Sequence, residues 1–144
     1  NSEIDLSGLE QDTWEGFTAF AASYRDAYHR HPNLIDLVNR RPLNSSVALN
    51  LYDAVARHLR ARGVPAERVM VLLTVLDYIV LGSAGETLYT DFDRAPEEYR
   101  PEHPDIADAL EAARASEVDE EAFRLALRLF EESIARDASA VTGV

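Results

Sequence analysis

Cysteine and lysine are both missing from this chain of 144 residues, and methionine and tryptophan occur once each. Without cysteine there is no disulfide scaffold, no thiolate nucleophile and no Cys-ligated zinc or iron–sulfur centre. Without lysine every base is an arginine. Fourteen of them face 26 acidic residues, for a formal net charge of −12. A surface that acidic repels phosphate, so the chain is not expected to hold nucleic acid by itself. Long hydrophobic runs are lacking too. The most apolar stretch, Val69 to Gly82, is interrupted by Thr74 and Asp77 and falls short of the roughly 18 apolar residues of a membrane span. The start, Asn1-Ser2-Glu3-Ile4-Asp5, has neither the positive charge nor the apolar stretch of an export signal. The expectation is one cytoplasmic domain over residues 1–144, without membrane contact, and the arginine-only base usage points to a GC-rich bacterial genome.

The periodicity that is present is helical. Trp14, Phe17, Phe20, Tyr24 and Tyr28 recur at three- and four-residue steps and share one helix face. Asp12 and Glu15 have capping-box spacing, and Pro32 supplies a stop. A short helix is predicted from Leu34 to Asn39. A third, capped by Asn44 or Ser45, turns Val47, Leu51, Ala54, Val55 and Leu59 inward and ends at Gly63 in a left-handed conformation. Pro65, in the first turn, opens a fourth. Residues 87–103 read as a long loop, Pro104 to Ala113 as a helix, and Asp119 as the cap of a last helix ending near Asp137. No strand-like alternation occurs. The fold class is all-α, a bundle of about six helices.

Two of these helices carry too much apolar surface. The fourth has Val69, Leu72, Leu73, Leu76 and Val80 on one side, with Met70, Tyr78, Leu81 and Gly82 elsewhere; Gly85 follows. On the last, Leu125 and Leu129 lie opposite the stripe of Phe123, Leu127, Phe130 and Ile134. Either the first three helices cover both sides within one monomer, or a second copy packs on the surplus as a four-helix interface in a homodimer. The homodimer is the preferred reading, with Met70, Leu81, Gly82, Gly85, Leu125 and Leu129 in its interface.

Catalytic equipment is sparse. Asp26-Ala27-Tyr28-His29 is the only unit resembling a di-iron Glu-x-x-His motif, so no metal or cofactor is expected. Gly82-Ser83-Ala84-Gly85 lacks the spacing of a nucleophile elbow and follows a helix. Two features remain. Trp14, Phe17, Tyr24, Tyr28, Tyr52 and Tyr78 put aromatic walls and hydroxyls on inward-looking helices, as core or as a small-molecule pocket. Asp77 lies in the most apolar helix and needs a partner: an arginine, a tyrosine hydroxyl or a ligand.

The run Asn39-Arg40-Arg41-Pro42-Leu43, the helix to Arg62-Gly63-Val64-Pro65, and Tyr78 to Glu86 resemble the C-terminal domain of tetracycline-repressor (TetR) family regulators. The ending from Asp119 through Ile134 is similar to that family's last dimerisation helix. The resemblance implies the regulatory part of a transcriptional repressor, which dimerises and releases operator DNA when a small-molecule effector binds. DNA would be read by a helix-turn-helix domain not contained in this chain. It also nominates Tyr24 as a drug-contacting aromatic, Arg41 as part of a hinge-like Arg-Pro, Asp53 as a ligand contact and Glu86 as an acidic residue supplied by the partner subunit. The family's metal-binding histidine and threonine fall at Leu37 and Arg40, so a magnesium-chelated drug is not the expected effector. The effector site is expected between the first four helices, walled by Trp14, Tyr24, Tyr52 and Tyr78, with Asp53, Asp77 and Glu86 as polar contacts for a cationic or hydroxyl-bearing molecule. The rival readings are a helical-bundle enzyme using Asp77 or His58 as a general base and a helical adaptor without a ligand site.

Overall fold

The computed structural model describes residues 4–31, 46–85, 91–114 and 117–141, and within them every regular element is helical. A one-turn 3-10 helix, Ser7–Glu10, comes first and has no counterpart in the sequence reading. It lies directly on the start of α1 (Trp14–Arg30). Gly8 and Gly16 meet backbone to backbone, and a Cβ on either would run into the other's carbonyl oxygen. Only residues without side chains allow that approach.

Thr13, not Asp12, caps α1. Its backbone is extended and its Oγ1 accepts from the Gly16 N–H at 3.1 Å, so the expected Asp12–Glu15 box is not formed. The inward face of α1 is the predicted one, with Phe17, Phe20, Ala21, Tyr24 and Tyr28 all buried. The expected helix from Leu34 to Asn39 lies outside the described residues. α2 (Ser46–Ala61) turns Leu51, Val55, His58 and Leu59 into the core. Gly63 then takes φ +95°, the left-handed stop its position predicts.

α3 (Ala66–Ala84) begins after Pro65, which has extended backbone and sits one place before the helix rather than in its first turn. Val69, Leu72, Leu73, Leu76 and Val80 face the centre, against α1, α2 and α6 (Val118–Val141). The expected loop is in part helical. Pro96–Tyr99 forms a single turn, α4, because Pro96 pre-sets the first helical φ and Glu98 accepts from the Ala95 N–H at 3.0 Å. α5 (Pro104–Ala113) follows, tied to Arg100 through Asp108 and, at 2.9 Å, Glu111.

The last helix, α6, starts one residue before Asp119 and continues past Asp137. Asp119, Glu120 and Glu121 therefore occupy its first turn, where the helix dipole favours negative charge. Phe123, Leu127, Phe130 and Ile134 fill the centre of the bundle, and Phe130 stacks on Phe17 with ring centroids 5.4 Å apart. Three ion pairs fasten α6 along its length: Arg25–Glu120 at 2.8 Å to α1, the bidentate Arg62–Glu131 pair just past α2, and Arg68–Asp137 at 3.0 Å to α3. The fold is an all-α bundle with six α-helices among the described residues. None of them is long and apolar enough to cross a membrane.

Candidate functional site

Asp77 projects from the middle of α3 toward α1 and α2, where two tyrosines meet it. The Tyr24 hydroxyl donates to its Oδ1 at 2.8 Å and the Tyr52 hydroxyl to its Oδ2 at 2.9 Å. The two phenol oxygens are 3.5 Å apart. Tyr28 packs beside Tyr24 with its ring tilted, 5.3 Å between ring centroids, and closes the aromatic side of the cluster. Of the three partners considered for Asp77, the tyrosine hydroxyl is the one in place. Among the described residues no arginine or histidine forms an ion pair with it.

Burial dominates the electrostatics. It pushes the Asp77 carboxyl above its ordinary value, and the two phenol donors only partly offset that. Tyr24 is driven far above the normal phenol range by burial and then by the neighbouring Asp77 charge. Tyr52, less enclosed, is pushed up to about 12, mainly by burial. Each phenol is held as a donor at neutral pH. Each carboxylate oxygen accepts one protein donor and has capacity for another.

The other nominated residues do not join this cluster. Phe17 is fully buried between His58 and Phe130 and acts as core. Trp14, on the flank of α1, lines a separate cleft against α6. Asp53 points outward and pairs with Arg57 one turn along α2 at 2.7 Å. Tyr78 is 71 % exposed on the far side of α3 from the core. These two corrections share one cause. Asp53 and Tyr78 each directly follow a residue of the cluster, and one step along a helix turns a side chain by about 100°. Arg41 and Glu86 lie outside the described residues. His58 is buried, with Nδ1 3.1 Å from the Leu9 carbonyl and Nε2 without a partner. It belongs to the packing of the 3-10 turn, apart from Asp77.

Six apolar positions on α3, at its C-cap Gly85 and on α6 are expected to contact a second copy, and none of them is buried in a single chain. Met70 is 68 % exposed, Leu125 54 % and Leu129 55 %, while a Cβ on Gly82 would meet nothing within 4 Å. Val71 and Val75 extend the same surface and were not singled out from the sequence. Val71 stands four residues from Val75 and seven from Tyr78, and Val75 stands three from Tyr78 and seven from Gly82, which is the helical spacing that marks them. Beside this surface an apolar groove of about 550 Å³ runs between α3, α5 and α6, over Ile79, Leu110, Phe123 and Ala126, with Tyr78 and Ile106 in its walls.

The helix order and the outward apolar sides of α3 and α6 define an all-α helical-bundle domain of a known kind. Residues 7–132 match the family described as the tetracyclin repressor-like, C-terminal domain. The chain belongs to that TetR C-terminal domain family. Domains of the family typically dimerise and bind effectors, and they are generally not enzymes. No curated protein matches the chain.

Proposed function

We propose that this chain is the effector-binding and dimerisation domain of a TetR-type transcriptional repressor. Two copies pair through the outward sides of α3 and α6. A small molecule binds at the Tyr24–Tyr52–Asp77 cluster, and operator DNA is read by a helix-turn-helix domain outside this chain. To release DNA, the effector must prefer the DNA-incompetent arrangement by roughly 1–3 kcal/mol.

The observation that carries this reading is the outward face of α3 and α6. Met70, Val71, Val75, Tyr78, Leu125 and Leu129 are all exposed on two neighbouring helices. Scattered surface apolar residues need no explanation, but a contiguous patch of this kind marks a contact surface. Light scattering on the purified chain tests it. The expected mass is that of two 16.1 kDa chains. A single-chain mass at high micromolar concentration overturns it.

The cluster also indicates the effector's chemistry. A carboxylate with accepting capacity, flanked by aromatic rings, is complementary to an organic ammonium or a hydroxyl donor. Isothermal titration should show cationic ligands bound more tightly than their neutral isosteres, with the difference lost in Asp77→Asn. Equal binding of both classes removes the cationic assignment.

A further inference from the structure

A second cleft lies on the opposite flank of α6 from the apolar groove, between α1 and the first half of α6. It encloses about 310 Å³ and is walled by Trp14, Arg25, Glu120, Phe123, Arg124 and Arg128. Three arginines line it against one carboxylate, in a chain whose net charge is −12. That local reversal of sign needs an explanation.

Arg25 is held firmly. One of its terminal nitrogens reaches Glu120 at 2.8 Å, and its guanidinium carbon sits 4.0 Å above the centre of the Phe123 ring. Its Nε is buried and has no acceptor, a donor the fold itself leaves open. Arg124 and Arg128 follow one another by one turn on the exposed flank of α6. Neither forms an ion pair among the described residues, although acids outnumber bases almost two to one in the chain. On so acidic a surface, two unpaired arginines beside a third are a focused positive site. Trp14 supplies a flat apolar wall next to them.

We propose that this cleft binds a small organic anion, a carboxylate or phosphate head on a flat apolar body. The head is taken by Arg124 and Arg128, whose planar forks match either oxyanion bidentately. The body lies against Trp14 and Phe123. The volume is near the lower end for ligand pockets, about 300 Å³, which limits the occupant to a compact molecule such as a substituted benzene. The site shares no residue with the Asp77 cluster, and the proposal stands whether or not that cluster binds an effector. Because Arg25–Glu120 is one of the fastenings of α6 to α1, an anion here binds at the joint between those two helices.

Trp14 is the only tryptophan in the chain, so its emission reports on this cleft alone. The experiment titrates the full chain with benzoate, with phenyl phosphate and with the neutral benzyl alcohol, exciting at the red edge of tryptophan absorption. At least one of the two anions should change the emission saturably, and the comparison between them identifies the preferred head. Benzyl alcohol at equal concentration should not. The double variant Arg124→Gln/Arg128→Gln, altered only at exposed positions, should melt like the wild type and bind the anion at least tenfold more weakly. Asp77→Asn should titrate like the wild type. The proposal is overturned if neither anion saturates the wild type, if benzyl alcohol gives the same response, or if the double variant binds unchanged. Loss of the response in Asp77→Asn overturns it as well, because the anion is then held elsewhere.

Discussion

The Tyr52 hydroxyl on α2 donates to Asp77 Oδ2 on α3 at 2.9 Å, while Tyr24 on α1 already holds the other oxygen at 2.8 Å. One carboxylate thus joins three helices at the centre of the bundle. It does so at a cost, because burial disfavours its charged form.

That cost gives a pH dependence of definite sign. The folded chain binds the Asp77 proton more tightly than the unfolded chain, whose value is near the ordinary 3.8. The stabilisation is therefore fully present below that value and is lost as pH rises through the raised folded one. Urea denaturation of wild type and Asp77→Asn, from about pH 4 to about pH 8, should show the wild type losing ground to the variant as pH rises. A wild type that gains on the variant over that range would identify a depressed carboxylate instead.

The two phenols should not be equivalent. Tyr24 is fully buried and Tyr52 only half-buried. Tyr24→Phe leaves Asp77 short of a donor in the more enclosed position and should destabilise the fold by about 1–3 kcal/mol, with Tyr52→Phe toward the lower end. In alkali, Tyr52 contributes stability that is lost as pH rises from 10 through about 12. Tyr52→Phe should flatten that part of the profile. Equal costs for the two variants would argue against the asymmetric burial.

Gly63 tests the joint between α2 and α3. Its φ of +95° is disfavoured for any residue with a side chain, and a Cβ there would come 3.2 Å from the Cβ of Ala138. Gly63→Ala should destabilise the fold by about 1–2 kcal/mol. Gly82→Ala has open space around it in the single chain. There the gain in helix preference should be about 0.5–1 kcal/mol. Any loss of stability at Gly82 that grows with protein concentration would come from a second copy.

Much of the bundle was legible because its signals are periodic. The stripes of α1 and α6 and the stop at Gly63 all follow from spacing and backbone preference. What escaped depends on contacts distant in sequence or on competition between near-equal local choices. The 3-10 turn exists because Gly8 finds Gly16, which no period announces. Thr13 displaced Asp12 as cap because its oxygen is the one that reaches the Gly16 N–H. For the cluster, Asp77 stood out as a carboxylate in an apolar helix, and tyrosine was one of its expected partners. Which tyrosines was decided by how α1 and α2 cross α3, and that geometry brought in Tyr24 and Tyr52 and left Tyr78 outside. The anion cleft was invisible for the same reason. Trp14 and Arg25 lie more than ninety residues from Arg124 and Arg128.

The central claim is that the outward faces of α3 and α6 meet those of a second copy, and the absence of native cysteine makes its location directly measurable. Single cysteines introduced by Met70→Cys, Leu125→Cys and Leu129→Cys, with Asp53→Cys as an exposed control on α2, can be joined by a short thiol-reactive crosslinker at low protein concentration. Rapid covalent dimers are expected from at least one of the first three and none above background from the control. Equal rates at all four positions, or crosslinking confined to Asp53→Cys, would contradict it.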